Sequence, residues 1–505
     1  AVIDAGQGSI IQLTAGDIRF SNTTSGGSSG ATVSVVERMR INADGTTKFH
    51  GNILADVINN SANSANIIYR SGSDTFVGGG TSAQKLIIAD NGAVYNSNST
   101  GTTFFGSNNA GNPSNVTGVS NSSFGYGAGN ALTSGYENVI IGRDAGGSMT
   151  TGFKNVLVGL NAGVAFTTGS RLVAIGTNAA KQLVSDVDNV FVGMDCGHHR
   201  VSGVDNTFVG AYANYNQNAT GSGNTGIGKA AGYELLNGEK NTYVGRQAGY
   251  YNLNNNENTY LGWNAGLYFT SAENTAVGSG ALVGNSSGSS GHSNTALGRF
   301  AGYVVSTGAA NTMIGHQAGI AMTTGNNNTL VGKSSGDSIT QGENNTAIGY
   351  YTGDEITTGD RNLCLGIAAG SGSSPFQLTT QDNRVVIGDN NITNAYIRVA
   401  WTVTSDKRDK TDFGDVPHGL DFVSKLKPTS YNNITDRETK EINGKRKYGF
   451  LAQDILELEG DNPVIIDNED ENRLSYQESN LVPVLVKAIQ ELKAEVDKLK
   501  QECKC

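Results

Sequence analysis

From residue 125 onward the chain repeats one short pattern of polar and apolar positions. An apolar residue followed by glycine recurs at Gly125, Gly142, Gly159, Gly176, Gly193, Gly210, Gly228, Gly245, Gly262, Gly278, Gly298, Gly315, Gly332, Gly349 and Gly366, and most steps are 17 residues. Typical units read NVLVGLNAGVAFTTGSR and NTMIGHQAGIAMTTGNN. The residue before the glycine is aliphatic from Ile141 on (Val158, Ile175, Val244, Leu297, Ile348), which predicts an inward strand position and a hydrophobic spine. Four residues before the glycine stands asparagine in nearly every unit (Asn138, Asn155, Asn206, Asn258, Asn345), with Leu172 an exception. Identical asparagines stacked at strand spacing can bond to one another as a ladder. Alanine then glycine follow three and four residues after it, as in Ala145 and Gly146, leaving room for a close backbone approach at a bend.

Each unit is thus read as two short strands and two turns, unable to bury a core alone but able to do so by stacking. The fold class expected is mainly β: a glycine-rich β-solenoid or β-roll fibre of 17-residue repeats. About 15 coils at strand spacing make a rod on the order of 70 Å. One aliphatic column per coil is a thin core, so several chains are expected to share it, and a homotrimer is the natural symmetric choice. These units resemble the repeats of phage tail-fibre shafts and, more loosely, the left-handed β-roll heads of trimeric adhesins. Upstream, ATVSVVERMRINADGTTKFHGNI alternates apolar and polar around Asp44 and Gly45, a hairpin signal. ERMRI with its DG turn is similar to a stretch common upstream of tail-fibre repeats. Residues 1–100 are therefore read as a β-rich shaft or attachment region and 101–400 as the repeat fibre.

At TVTSDKRDKTDF the pattern breaks. Residues 1–404 hold 64 glycines and 43 charged side chains, whereas residues 405–505 hold 5 glycines and 37 charges. The second part, 401–505, reads as a small α/β domain. GLDFVSKLKPTSYN gives a short helix stopped by Pro428, and RKYGFLAQDILELEG a strand running into a helix. In the last helix Val482, Leu485, Ile489, Leu492, Val496, Leu499 and Cys503 are spaced 3, 4, 3, 4, 3, 4, a heptad seam for a coiled coil. Pro483 fits such a helix only within its first turn.

Charge and composition then narrow the function classes. A formal net charge of −10 and no basic stripe leave no footprint for nucleic acid. No apolar run reaches the roughly 20 residues of a spanning helix, and no secretory signal opens the chain, which starts at Ala1 as a processed or partial chain would. The four cysteines, Cys196, Cys364, Cys503 and Cys505, are too scattered for a disulfide framework or zinc site. Neither His198 with His199 nor any other group suggests a metal, and no cofactor is expected.

Across the break the residues carry a family resemblance. Ser405, Asp406, Arg408 and Lys410 in SDKRDK, Leu426, Pro428 and Tyr431 in LKPTSY, Gly449, Ala452 and Gln453 in GFLAQ, and Tyr476 with Ala488, Ile489 and Leu492 in the last helix together resemble the intramolecular chaperone domain at the C-termini of phage tail spikes and fibres. The resemblance implies a domain that trimerises and folds the preceding fibre and then cuts itself off. By it, Ser405 is the nucleophile, Thr404–Ser405 the cleavage site and Lys410 the base, with Asp406, Arg408, Gly449 and Gln453 in support. A serine hydroxyl needs a base beside it, and a lysine can be that base only if burial or a neighbouring cation favours its free amine. Five residues is the wrong spacing for one helix face, so the pair must meet across a turn or between chains.

The resulting expectation is a bacteriophage tail fibre for host-surface recognition, a single-turnover serine endopeptidase on itself. It would be located in the virion after assembly in the host cytoplasm. Its expected partners are two copies of itself, other tail or baseplate proteins, and a host glycan or protein receptor, without nucleic acid or membrane insertion. A polysaccharide-degrading tail spike and a trimeric cell-surface adhesin are the alternatives. The first needs two carboxylates at a cleft, and the acids here fall irregularly in turns. Aromatic residues gather between Phe208 and Tyr303. Tyr212, Tyr215, Tyr251, Trp263 and Tyr268 are candidates for receptor contact, while pairs 17 apart, such as Phe191 with Phe208 and Tyr243 with Tyr260, fit a packing ladder.

Overall fold

The structure, a computed structural model, describes strand segments between residues 2 and 105 and residues 117–399, 401–435 and 437–503. It divides into two compact units, Ala1–Gly238 and Glu239–Cys505.

In the first unit, Val2–Asp4, Ser9–Thr14, Asp17–Thr24, Ser34–Ile41 and Thr47–Phe49 form an antiparallel sheet in chain order. Ser34–Ile41 and Thr47–Phe49 flank the Asp44–Gly45 turn signal and pair as Met39 with Phe49; the turn itself lies outside the described residues. Ile67–Ser71, Asp74–Gly78, Leu86–Ile88 and Val94–Asn96 form a second antiparallel sheet. The repeats then begin. Each contributes one three-residue strand, and successive strands pair in parallel one repeat apart, as Val139–Ile141 with Val156–Val158 and Val190–Val192 with Thr207–Val209. In the second unit the same arrangement runs from Thr242–Val244 to Val385–Ile387. The repeat region is a parallel β-solenoid.

Two features of the sequence build each coil. The coil glycines stack backbone on backbone: Gly159 has φ +133°, and a Cβ there would meet the Gly176 carbonyl oxygen at 2.5 Å. No other residue fits both the angle and the space. The asparagines form the expected ladder. In the first unit Asn155 donates from its backbone and from Nδ2 to Asn138 Oδ1, both at 3.0 Å. In the second unit Asn328 Nδ2 bonds both Asn311 Oδ1 at 3.2 Å and the Gly342 carbonyl at 2.8 Å. These amides are fully buried, so their hydrogen bonds are what make burial tolerable.

The core differs from the expected spine. In each described repeat strand the middle residue is buried and its two neighbours are partly or fully exposed. Ile140, Leu157, Phe191, Tyr260, Met313 and Cys364 are wholly buried, whereas Ile141, the predicted spine, is 40% exposed and Leu297 46%. The aliphatic column before the glycine therefore points away from the core, because a three-residue strand alternates faces once. Two further inward columns complete the interior: the alanines at Ala145, Ala162 and Ala248, and the residues seven after the glycine, such as Met149, Phe166 and Leu183. A single chain closes its own core, so the thin-core argument for shared chains fails. The second strand expected per repeat is reduced to isolated bridges such as Phe153 with Ser170.

Arg200 occupies the inner column seven after its glycine and is fully buried. Its Nη1 donates to Asn214 Oδ1 at 2.9 Å. Burial pushes Arg200 down to about 10 and the nearby Asp186 up to about 6.

The C-terminal part of the second unit holds α1 (Leu420–Lys425), α2 (Ala452–Glu459) and α3 (Glu478–Glu502), with Thr429–Ile434 pairing antiparallel to Ile442–Gly449. Phe422, Ile455, Ile465, Ile466, Leu481 and Val484 form its small core. Because α3 starts at Glu478, Pro483 stands beyond the first turn. It forgoes the bond its N–H would make to the Ser479 carbonyl. Leu481, Val484 and Ala488 turn inward, while the heptad residues Val482, Leu485, Ile489, Leu492, Val496 and Leu499 are exposed.

Candidate active site

Ser405 and Lys410 lie in an extended, exposed stretch before α1, in which residues 401–415 are all exposed. A single 3-10 turn, Lys407–Asp409, brings them together. Asp406 caps it: its Oδ1 accepts from the Arg408 backbone N–H at 2.8 Å, and its Oδ2 accepts from Arg408 Nη2 at 2.6 Å. The Arg408 side chain, then its backbone N–H, hold the Asp406 carboxyl below the usual range. This local clamp folds the loop so that Lys410 Nζ donates to Ser405 Oγ at 2.5 Å. The pair meets across a turn within one chain, one of the two ways its spacing allows.

The other site residues stand in different relations. Gly449 ends its strand opposite Thr429, and a Cβ there would meet the Tyr431 ring at 3.1 Å. A side chain at 449 would crowd that ring. Gln453 is exposed near the start of α2, and no hydrogen bond joins it to the Ser405–Lys410 pair among the described residues. Thr404, on the acyl side of the expected cleavage site, is exposed.

Residues 405–462 match the family described as chaperone of endosialidase. No curated protein and no solved structure matches the chain. The protein thus joins a parallel β-solenoid to a chaperone-of-endosialidase segment whose first matched residue is Ser405.

Several residues that organise this segment carry no local sequence signal. The Glu459 carboxylate ends α2 by accepting from the backbone of Val464, Ile465 and Ile466 at 2.7 to 3.0 Å. Glu491 of α3 caps α1 through the Leu420 N–H at 2.7 Å, and Lys487 reaches the Val416 carbonyl at 2.6 Å. Arg473 donates to the carbonyls of Ser374, at 2.5 Å, and Gly372. Those carbonyls belong to the longest coil step, the 22 residues from Gly366 to Gly388. Arg384 pairs with Glu469, and Asn443 Nδ2 donates to the Asn390 carbonyl at 2.6 Å. The C-terminal part of the second unit is therefore seated on the last coils.

The candidate receptor aromatics are distributed between the units. In the first, Tyr215 is partly buried, stacked on Tyr233 at 5.2 Å and edge-on to Tyr212 at 5.7 Å. His198 lies beside Tyr215 at 5.3 Å, and burial holds its imidazole below the usual range. In the second, Tyr251 and Tyr268 stack outside at 5.0 Å, and Trp263 is half exposed. Phe191 with Phe208 and Tyr243 with Tyr260 are stacks inside the core. No cluster of three or more metal-ligating side chains occurs among the described residues.

Proposed function

We propose that the protein is a phage tail fibre, a homotrimer in the virion that contacts a host-surface receptor, and that its C-terminal segment assembles the trimer and then cuts the Thr404–Ser405 bond. The observation carrying this reading is that the chaperone match opens on Ser405, whose Oγ lies 2.5 Å from Lys410 Nζ. In the cut, Ser405 Oγ attacks the Thr404 carbonyl carbon while the Lys410 amine takes its proton. The peptide nitrogen of Ser405 takes up a proton and leaves as an amine, so Thr404 is held as an ester. Water then hydrolyses the ester, freeing the Thr404 carboxylate.

In a single chain this loop is exposed, and a lysine serves as base only as the free amine. Neighbouring copies that bury the loop would favour that form, so cleavage reports completed assembly. The exposed seam of α3, a coiled-coil pattern without a partner in one chain, begins the trimer contact on this reading, but its three heptads are too short to hold three chains together alone. The stacked pair Tyr251 with Tyr268, the edge-on pair Tyr212 with Tyr215, and Trp263 are the receptor-facing aromatics.

Intact mass and a denaturing gel test it. Wild type yields pieces of 404 and 101 residues, and Ser405→Ala a single full-length chain. A full-length band from both sinks the autoproteolytic reading.

A further inference from the structure

The aliphatic residue before each coil glycine has no use in the core, yet it is never polar in the second unit. Leu261, Leu297, Ile348 and Ile387 are 44%, 46%, 43% and 58% exposed. Two residues earlier, the other outward position is threonine from Thr242 to Thr346 and then Leu363 and Val385. Nine strands from Thr242–Val244 to Val385–Ile387 thus present an outer face without one charged side chain. Parallel sheets are ordinarily covered on both faces, and a solvent-exposed apolar strip of this continuity marks an interaction surface.

The two edges of the strip differ in charge. Before the asparagines, at the strand entrances, stand Glu239, Glu257, Glu273, Glu343, Asp360 and Asp382, against Lys240 and Arg361 and, in the asparagine's place before the last strand, Arg384. After the coil glycines, at the strand exits, stand Arg246, Arg299 and Lys333, with Asp389 the one acid. Arg299 and Lys333 are exposed and lie over the rings of Phe300 and Tyr350. In a ring built by rotation, one edge of each copy meets the opposite edge of the next. An acidic edge and a basic edge on the same chain therefore complement each other between parallel copies, and like edges would repel in an antiparallel pair. Nine strands at about 4.8 Å, each roughly 20 Å across with its flanks, offer on the order of 800 Å², one partner's share of a stable interface.

We propose that this outward face of threonine and aliphatic columns is the surface on which parallel copies of the chain pack around a three-fold axis. The inference rests on the trimer of the preceding section and names the solenoid surface that makes it.

The test uses the uncleaved Ser405→Ala chain. Sedimentation is expected to give the mass of three chains. The combined variant Leu297→Thr, Ile314→Thr and Ile348→Thr puts β-branched, strand-favouring threonine at all three positions, and is expected to retain its circular dichroism while its mass falls threefold to that of one chain. Should that variant lose its fold, cysteine cross-linking decides. With Cys503 and Cys505 replaced by serine, Ile314→Cys is expected to give disulfide-linked chains on oxidation, and Thr324→Cys, exposed in a turn, none. A folded triple variant that stays trimeric, or linkage at 324 with none at 314, overturns the face while leaving the trimer reading intact. A starting mass of one or two chains overturns both.

Discussion

The solenoid coils and the chaperone segment solve opposite problems. A coil obtains nearly everything from its neighbour: strand partners, asparagine bonds and the backbone contact of its glycine all come from one repeat away. The chaperone segment has a small core and long exposed stretches, and its Ser405–Lys410 contact is set by a short loop that folds on itself. The coils tolerate variation where side chains can compensate and none where backbones touch. In the segment, Ser405 and Lys410 are exposed and contribute nothing to the core that holds α1 to α3.

The sharpest contrast is chemical. Replacing Lys410 by Gln removes the proposed base and leaves the Asp406–Arg408 clamp in place. Cleavage, followed as fragment appearance over time, is expected to slow by about 10²- to 10⁴-fold, the usual worth of a general base. Folding and oligomeric mass are expected to stay as in the wild type. An unchanged rate would show that another group takes the proton.

Next come the glycines, which place the two regions side by side. Gly159→Ala sets a Cβ 2.5 Å from a carbonyl of the adjacent coil at φ +133°. The combined strain and overlap are expected to cost roughly 3 kcal/mol, seen as faster amide exchange in the coils around residues 142–176. Gly414→Ala, with nothing within 4 Å of its Cβ, is expected to stay within about 0.5 kcal/mol. Equal effects would erase the distinction between the regions.

A smaller effect is expected on the ladder. Asn328→Leu leaves the Asn345 backbone N–H, now donating to Asn328 Oδ1 at 3.0 Å, and the Gly342 carbonyl without partners. An unsatisfied buried group costs about 1 to 3 kcal/mol, and exchange should rise at Asn345 before it rises in more distant coils. The chain already contains one such break: Leu172 accepts no side-chain bond, although its own N–H still reaches Asn155 Oδ1 at 2.9 Å.

These contrasts explain what was readable beforehand. The glycines and asparagines repeat because each meets its own copy one coil away, so their positions and the ladder are visible as periodicity. The true inward column is disguised because it varies: Ile140, Leu157, Ala174, Phe191, Phe208 and Gly226 follow one another. Volumes there are balanced between neighbours, and a Cβ on Gly226 would meet the Phe208 ring at 2.4 Å. The invariably aliphatic column looked like the core because it is regular, whereas it faces out. The pair at Ser405 and Lys410 was legible by resemblance, and its meeting across a 3-10 turn was one of two geometries the spacing left open. Arg473 was not legible at all, since its carbonyl partners lie about a hundred residues earlier and offer no side-chain signature.

The smallest expected effect concerns acid pairs stacked in successive coils of the second unit. Asp354 is half buried, its Oδ1 has no hydrogen-bond partner, and its pKa is pushed up to about 6 by burial first and then by Asp337 and Glu355. Asp337 is raised as well, by burial. The sign follows from linkage. Between about pH 4 and pH 6 the folded chain keeps a proton that the unfolded chain has released, so stability from this group grows as pH falls through 6 and is lost as pH rises. Asp354→Asn removes the ionisation and keeps the shape. At pH 7.5 the variant is expected to melt slightly higher than the wild type, by about 2 °C, and the advantage should shrink as pH falls through 6 and vanish below about pH 4, where the wild-type carboxyl is neutral in the folded and the unfolded chain alike. A difference independent of pH would mean that the carboxylate is relieved by a partner in the assembled fibre, and would mark this coil as part of an interface instead of a cost carried by one chain.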